Sequence, residues 1–307
     1  GDHRDLHSFP TRRSSDLPAA LASIPSATAA GESLYNARAH KKLHILFKST
    51  RLHLDSLMAK QSSIAVDLDR FKVACQDCSL FQLCLPVGLE QGDLELLDRI
   101  IKRRRPAHRG EHLFRAGDPF QSVYAVRSGS VKTYTVSEDG SEQVTGFHLP
   151  GELFGLDAIT AGKHPCSAVA LEATSACEVP FDRLEDLGAE VPSLPRQMLR
   201  VMSKAILHDQ TLLAYLSRKS AEERLAGFLL SLSQRFASRG FSAREFNLSM
   251  SRIDIGNYLG LAEETVSRLF TRFQEQGLVA VERKHVRLTD LDRLRQLAGT
   301  AAGASMR

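Results

Sequence analysis

Between Gly110 and about Pro180 the hydrophobic pattern is that of short strands. Gly110, Gly117, Gly129, Gly140 and Gly151 punctuate the chain at intervals of about a dozen residues or fewer. Between them lie β-rich runs such as SVYAV and VKTYTV, the second setting Val131, Thr133 and Thr135 against Lys132, Tyr134 and Val136. Asp139-Gly140 between two such runs is a strong hairpin signal. Evenly spaced short strands predict an all-β sandwich or jelly roll. From Pro195 the period becomes helical, with no Gly or Pro again until Gly227. Leu199, Met202, Ile206, Asp209, Leu213 and Leu216 lie 3, 4, 3, 4 and 3 apart, an a/d seam with Asp209 its only charged member. Such a helix either packs on its own β domain or pairs in parallel with a second copy, joining a sensor to an effector.

The segment from Arg252 to Gln276 has the spacing of a helix-turn-helix. Ile255, Leu259, Leu261, Val266 and Leu269 are placed to pack two short helices across a tight turn, with Gly256 at the crossing and Gly260 in the turn. The outer face of the second helix carries Glu263, Glu264, Ser267, Arg268 and Arg272, and LVAVERKHVRLTD reads as two strands around a basic wing at Arg283-Lys284. These side chains suit duplex DNA. Arg donates two hydrogen bonds to guanine O6 and N7, and Glu accepts from cytosine N4. Glu264 and Arg268, four apart, can address adjacent base pairs or form a surface ion pair, and Ser267 between them reaches a base edge or a phosphate.

Charge supports this once it is divided. The whole chain of 307 residues carries +4. Residues 58–216 hold 17 Lys+Arg against 21 Asp+Glu, net −4, whereas 217–307 hold 15 against 10, net +5. The basic half is the one with the helix-turn-helix, as an encounter with a polyanion requires. No run of about 18 apolar residues occurs, which excludes a transmembrane helix from the expectation, and no signal peptide is recognisable. A soluble cytoplasmic protein is expected. No catalytic constellation stands out, and no Gly-rich nucleotide loop follows a strand, so an enzyme is not expected. Residues 1–57 lack a periodic apolar pattern; Arg4–Leu17 resembles a translated sequencing adaptor, and Met58 is the first methionine. This stretch is expected to be non-native or disordered.

Five cysteines are too few for a disulfide scaffold at this length. Cys75, Cys78 and Cys84 form C-x2-C-x5-C, a spacing that thiolate-bound zinc or an iron–sulfur cluster would use. Chemistry alone leaves both open, with Cys166 or Cys177 as the fourth ligand.

Together CQDCSLFQLCLP, RSGSVKTYTVSEDGSEQVTGFHL, CEVPF, AEERLAGFL and GNYLGLAEETVSR resemble the FNR branch of the CRP/FNR transcription regulators, from about Cys75 to Gly299. The resemblance implies an oxygen-labile [4Fe-4S] cluster on Cys75, Cys78, Cys84 and Cys177, the last lying in the family's C-E-[IV]-P-F context. Cys166 has no counterpart there and is expected to be a buried thiol. The resemblance further implies an oxygen-sensing homodimer, mainly an activator, that binds a TTGAT-type inverted repeat in double-stranded DNA and contacts RNA polymerase, with the Val136–Ser141 hairpin tip a candidate contact. Cyclic-nucleotide relatives follow Gly-Glu-Leu with an Arg-Ser pair for the phosphate. Here Gly151-Glu152-Leu153 is followed by Pro165-Cys166-Ser167-Ala168 without the Arg, so no cyclic nucleotide is expected.

The expected fold is α+β. A Cys-rich segment occupies 58–90, a β jelly-roll sensor of cyclic-nucleotide-binding type 91–194, a dimerisation helix 195–216, and a winged helix-turn-helix 217–307. DNA contacts fall to Glu264, Ser267, Arg268, Arg272 and Lys284.

Overall fold

The computed structural model describes residues 74–299. The expectation for 1–57 and part of the Cys-rich segment lie outside the described residues. Two 3-10 turns, Cys75–Asp77 and Phe81–Leu83, lead into helix α1 (Gln91–Ile100). Strands β1 (Lys102–Arg103), β2 (His112–Phe114), β3 (Ser122–Ser128), β4 (Val131–Val136), β5 (Glu142–His148), β6 (Leu153–Phe154), β7 (Ser167–Ala170) and β8 (Ser175–Pro180) follow. They form two antiparallel sheets, ordered β1-β8-β3-β6 and β2-β7-β4-β5. This double-sheet roll is the architecture expected from the strand spacing. The five punctuating glycines all take positive φ, which ordinary L residues resist.

Along β4 the pairing with β5 shifts register between Thr133 and Tyr134, leaving Thr145 of β5 as the extra residue. Val131 and Thr133 are buried, and Tyr134, beside Lys132 Nζ at 5.1 Å from its ring centre and His112 Nε2 at 2.9 Å from its Oη, is covered as well, while Val136 is exposed. The β4–β5 hairpin closes over Asp139-Gly140: Ser141 donates its backbone N–H to Asp139 Oδ1 at 3.0 Å, and Gly140 N–H reaches the Ser137 carbonyl at 2.9 Å.

Helices α2 (Phe181–Glu190) and α3 (Ser193–Arg218) follow the roll. α3 starts earlier and ends later than the 195–216 stretch read from the seam. The C-terminal part comprises α4 (Ala221–Ala237), β9 (Glu245–Asn247), α5 (Arg252–Leu259), α6 (Glu263–Glu275), β10 (Val279–Glu282), β11 (His285–Leu288) and α7 (Leu291–Leu297), with a β10-β11-β9 sheet. Three of its four described helices, α4, α5 and α7, begin on side-chain caps. Ser220 and Ser251 each complete a capping box with Glu223 and Asp254, satisfying backbone N–H groups that a helix start leaves unpaired.

The roll and the C-terminal part share one apolar core. Val144, Phe147, Leu149 and Leu171 of the roll cluster with Leu225, Phe228, Leu229, Ile255 and Tyr258. Polar bridges flank it. Lys132 Nζ lies 2.7 Å from Asp254 Oδ1, both side chains nearly buried. Ser130 Oγ and Ser249 Oγ are 2.7 Å apart. Asn257 pairs with the outer edge of β5, where Val144 N–H donates to its Oδ1 at 2.5 Å and its backbone carbonyl accepts from Gln143 at 2.9 Å. Glu152 accepts from Arg235 Nε at 2.9 Å and from Arg239 at 2.6 Å. Burial opposes ionisation of Glu152, but the charge of Arg235 and its hydrogen bonds prevail and, with Arg239, hold the carboxyl down at about 2.

Candidate cysteine site and nucleic-acid interface

The four cysteines that the family resemblance groups reach one region by different routes. Cys75 and Cys78 bracket the first 3-10 turn, and Cys84 ends the second. Cys177 arrives on β8, where it pairs with Arg103 of β1. Burial pushes the Cys75 thiol up to about 12, with Asp98 and Cys177 adding to it. Cys84 is pushed up to about 12, chiefly by burial, with Cys177 and Cys78 contributing. Burial also raises Cys177, against the opposing charges of Arg103 and Arg127. Cys177 thus bears electrostatically on both Cys75 and Cys84, and Cys78 on Cys84 and Cys177. Among the described residues no three His, Cys, Asp or Glu side chains are gathered tightly enough to hold one metal ion.

Cys166 lies elsewhere. It is buried at 4% exposure in the roll core with Phe114, Tyr124, Val126 and Phe154, and its Sγ hydrogen-bonds Asp157 at 3.3 Å. The donor chemistry fits a thiolate-ligated group at the first site: buried thiols that resist ionisation alone would be stabilised as thiolates by bound iron, and Arg103 and Arg127 add positive charge nearby.

The helix-turn-helix follows the spacing of its glycines. Gly260 ends α5 in the left-handed conformation, φ +63° and ψ +41°. A Cβ on Gly256 would sit 2.6 Å from the Leu261 carbonyl oxygen and 3.4 Å from Val266 Cγ2, so only glycine lets the turn close. Ile255, Leu259, Val266 and Leu269 are buried between the helices. On α6, Glu263, Glu264, Ser267, Arg268 and Arg272 are exposed. Among the described residues no ion pair joins Glu264 to Arg268, leaving both side chains presented outward. Arg272 is instead ion-paired to Glu222 of α4. Lys284 is exposed in the tight turn between β10 and β11, whose Arg283 takes φ +56°, the one positive φ among described non-glycine residues. The Lys284 carbonyl accepts from Leu248 N–H at 2.8 Å, fixing the wing to its neighbour.

On α3, Leu199, Ile206 and Leu213 are 56–66% exposed and Met202 is 37% exposed, with Asp209 exposed among them. Leu216 is partly covered within the chain, and Leu207, outside the seam, is exposed as well. The opposite face meets the effector, where His208 Nε2 lies 3.2 Å from Tyr258 Oη. Sequence reasoning missed these bridges between roll and effector. No sequence signal marked them: Arg235 sits in the last turn of α4 and Arg239 just beyond its end, and both read as ordinary surface cations.

Residues 104–190 match the cyclic nucleotide-binding domain family, and residues 223–297 match the Crp-like helix-turn-helix domain family. The transcriptional activator protein Anr of Pseudomonas protegens is 57% identical over 225 residues, covering 73% of this chain and 92% of the relative. The fumarate and nitrate reduction regulatory protein of Escherichia coli K12 is 54% identical over 227 residues, covering 74% and 91%. The chain is an FNR-type member of the CRP/FNR family. As such it is a DNA-binding transcription regulator rather than an enzyme. The solved structure of FixK2 from Bradyrhizobium japonicum, 32% identical, superposes with a TM-score of 0.60 over 64% of this chain and 97% of that one. It agrees with the roll, long helix and helix-turn-helix described above. Among the described residues no helix is long and apolar enough to cross a membrane.

Proposed function

We propose that this regulator senses oxygen through a [4Fe-4S] cluster held by Cys75, Cys78, Cys84 and Cys177, and binds DNA as a homodimer when the cluster is intact. The observation supporting this reading is the run of contacts from the Cys75 N–H to Asp98, from Asp98 to Arg103, and from Arg103 to its strand partner Cys177, while Cys166 hydrogen-bonds Asp157 in a separate core. When bound, the cluster supplies a centre that oxygen destroys. The chain's own residues then do the rest. Leu199, Met202, Ile206 and Leu213 offer an apolar strip for a second copy, and burying each such side chain contributes about 1.5–3 kcal/mol. Asp209 in the same strip opposes that association through repulsion and lost hydration, keeping it sensitive to the state of the cysteine site.

Each protomer places α6 in a major groove of a TTGAT-type inverted repeat. Arg268 reads guanine, Glu264 the adjacent pair, and Ser267 a base edge or phosphate, while Lys284 contacts the backbone. Arg272, tied to Glu222, serves as a phosphate neighbour rather than a free reading group. The exposed Val136–Ser141 tip contacts RNA polymerase. The relatives' names, a transcriptional activator and a regulator of fumarate and nitrate reduction, support a cytoplasmic activator of anaerobic metabolism.

No cyclic nucleotide is needed. The acid of Gly151-Glu152-Leu153 is occupied by Arg235 and Arg239, and Phe114, Tyr124, Phe154 and Cys166 pack the roll interior. Anaerobic purification tests the whole reading. A brown protein containing iron and sulfide that bleaches in air and then loses DNA affinity supports it. A colourless zinc-containing protein that binds DNA equally in air refutes it.

A further inference from the structure

The N-terminal cysteine arm has little regular structure, only two short 3-10 turns, yet it must meet a strand a hundred residues away. What fixes it is a carboxylate on the facing helix. Asp98 of α1 accepts the backbone N–H of Cys75 through Oδ1 at 3.1 Å. The charge of the same carboxylate also opposes ionisation of the Cys75 thiol. The same oxygen is ion-paired with Arg103, whose side chain is 13% exposed. Arg103 in turn lies on β1 directly opposite Cys177 on β8. A continuous chain of contacts therefore runs from the first cysteine through Asp98 and Arg103 to the strand carrying the fourth.

We infer that Asp98 and Arg103 are positioning residues for the cluster, resting on the four-cysteine reading above. Ligation removes the Cys75 thiol proton but leaves the backbone N–H bond to Asp98. That bond fixes the direction in which Cys75 leaves its turn. Arg103 neutralises the carboxylate, which otherwise would stand beside several thiolates, and it adds positive charge near Cys177. Partners of this kind lie outside the ligand set but govern how well the ligands hold.

The experiment compares anaerobically reconstituted wild type with Asp98→Ala, Asp98→Asn and Arg103→Ala. It follows iron and sulfide content, the rate of cluster loss to a chelator, and the electron paramagnetic resonance signature after reduction. Asp98→Ala should lose its cluster about tenfold faster, as removal of an outer hydrogen-bond partner typically does. Asp98→Asn, which keeps an acceptor for the Cys75 N–H, should be restored most of the way. Arg103→Ala should lose its cluster faster than wild type and show a changed resonance signature. Wild-type kinetics in Asp98→Ala, or no difference between its Ala and Asn replacements, would overturn the assignment.

Amide hydrogen exchange on the cluster-free proteins provides a second measurement, with thermal unfolding as a folding control. Exchange at Cys75 should accelerate in Asp98→Ala and not in Asp98→Asn, and equal exchange in all three overturns the tether. If wild type takes up no iron and sulfide, the reading of the cysteine site fails instead, and exchange alone then decides whether Asp98 fixes the arm.

Discussion

Replacing Glu152 with Gln tests whether roll and effector are held together by charge. Glu152 is 27% exposed and faces Arg235 and Arg239, at 20% and 3%. Its carboxyl falls from the ordinary 4.5 to about 2 on folding. That difference stabilises the folded chain by about 3 kcal/mol at neutral pH. The unfolded chain takes up the proton first, so the stabilisation is complete above about pH 5 and is lost as pH falls through about 2. Gln keeps the shape and some hydrogen bonding but leaves two largely buried cations without their counter-charge, a loss of similar size. Urea unfolding of the cluster-free protein in air, followed by circular dichroism, measures the effect. Glu152→Gln should lower the unfolding free energy by about 3 kcal/mol at pH 7, and by roughly half that near pH 3. A loss under about 1 kcal/mol, or a difference that does not narrow with acid, would show that the arginines are adequately solvated without Glu152.

Three further outcomes follow from the sites. Cys177→Ser should abolish iron and sulfide uptake during anaerobic reconstitution while Cys166→Ser retains it; the reverse result would move the fourth ligand into the roll core. In a binding selection, Arg268→Ala should relax preference at one position by about 1–3 kcal/mol, and Glu264→Ala should relax its neighbour. Lys284→Ala should weaken all sequences alike, with a smaller salt dependence of binding. Gly256→Val should destabilise the effector by about 1–3 kcal/mol or more, because the Leu261 carbonyl 2.6 Å from the new Cβ is backbone and yields little; an unchanged urea midpoint would contradict this packing.

The helix-turn-helix was legible in sequence because its determinants are local. Gly256 and Gly260 answer steric demands made by residues within ten positions of them. The strand spacing of the roll was legible for the same reason, whereas the bulge at Thr133/Tyr134, which depends on how β5 lies alongside, was not. Cys177 could be grouped with Cys75 only through family resemblance, since the register that sets it against Arg103 is a long-range pairing with no periodic trace. The contacts of Glu152 with Arg235 and Asn257 with β5 are likewise invisible along the chain. Each joins surfaces whose own patterns look like ordinary solvated faces. Arg272 shows the converse: its place on the outer face of α6 was read correctly, but its partner Glu222 belongs to a different helix.

The docking of α5 on β5 also determines what a promoter can measure. Asn257, Lys132–Asp254 and the Glu152 arginines fix the effector at several separated points, so it has no free pivot on its own roll. His208–Tyr258 ties the same body to the middle of α3. In the proposed dimer each protomer then behaves as a stiff caliper arm, with α6 at the tip and the exposed strip of α3 at the joint. A small rotation at the joint is magnified at the tips, where the gap must equal one turn of DNA. Operator spacing is thus gauged at a surface that never touches the DNA.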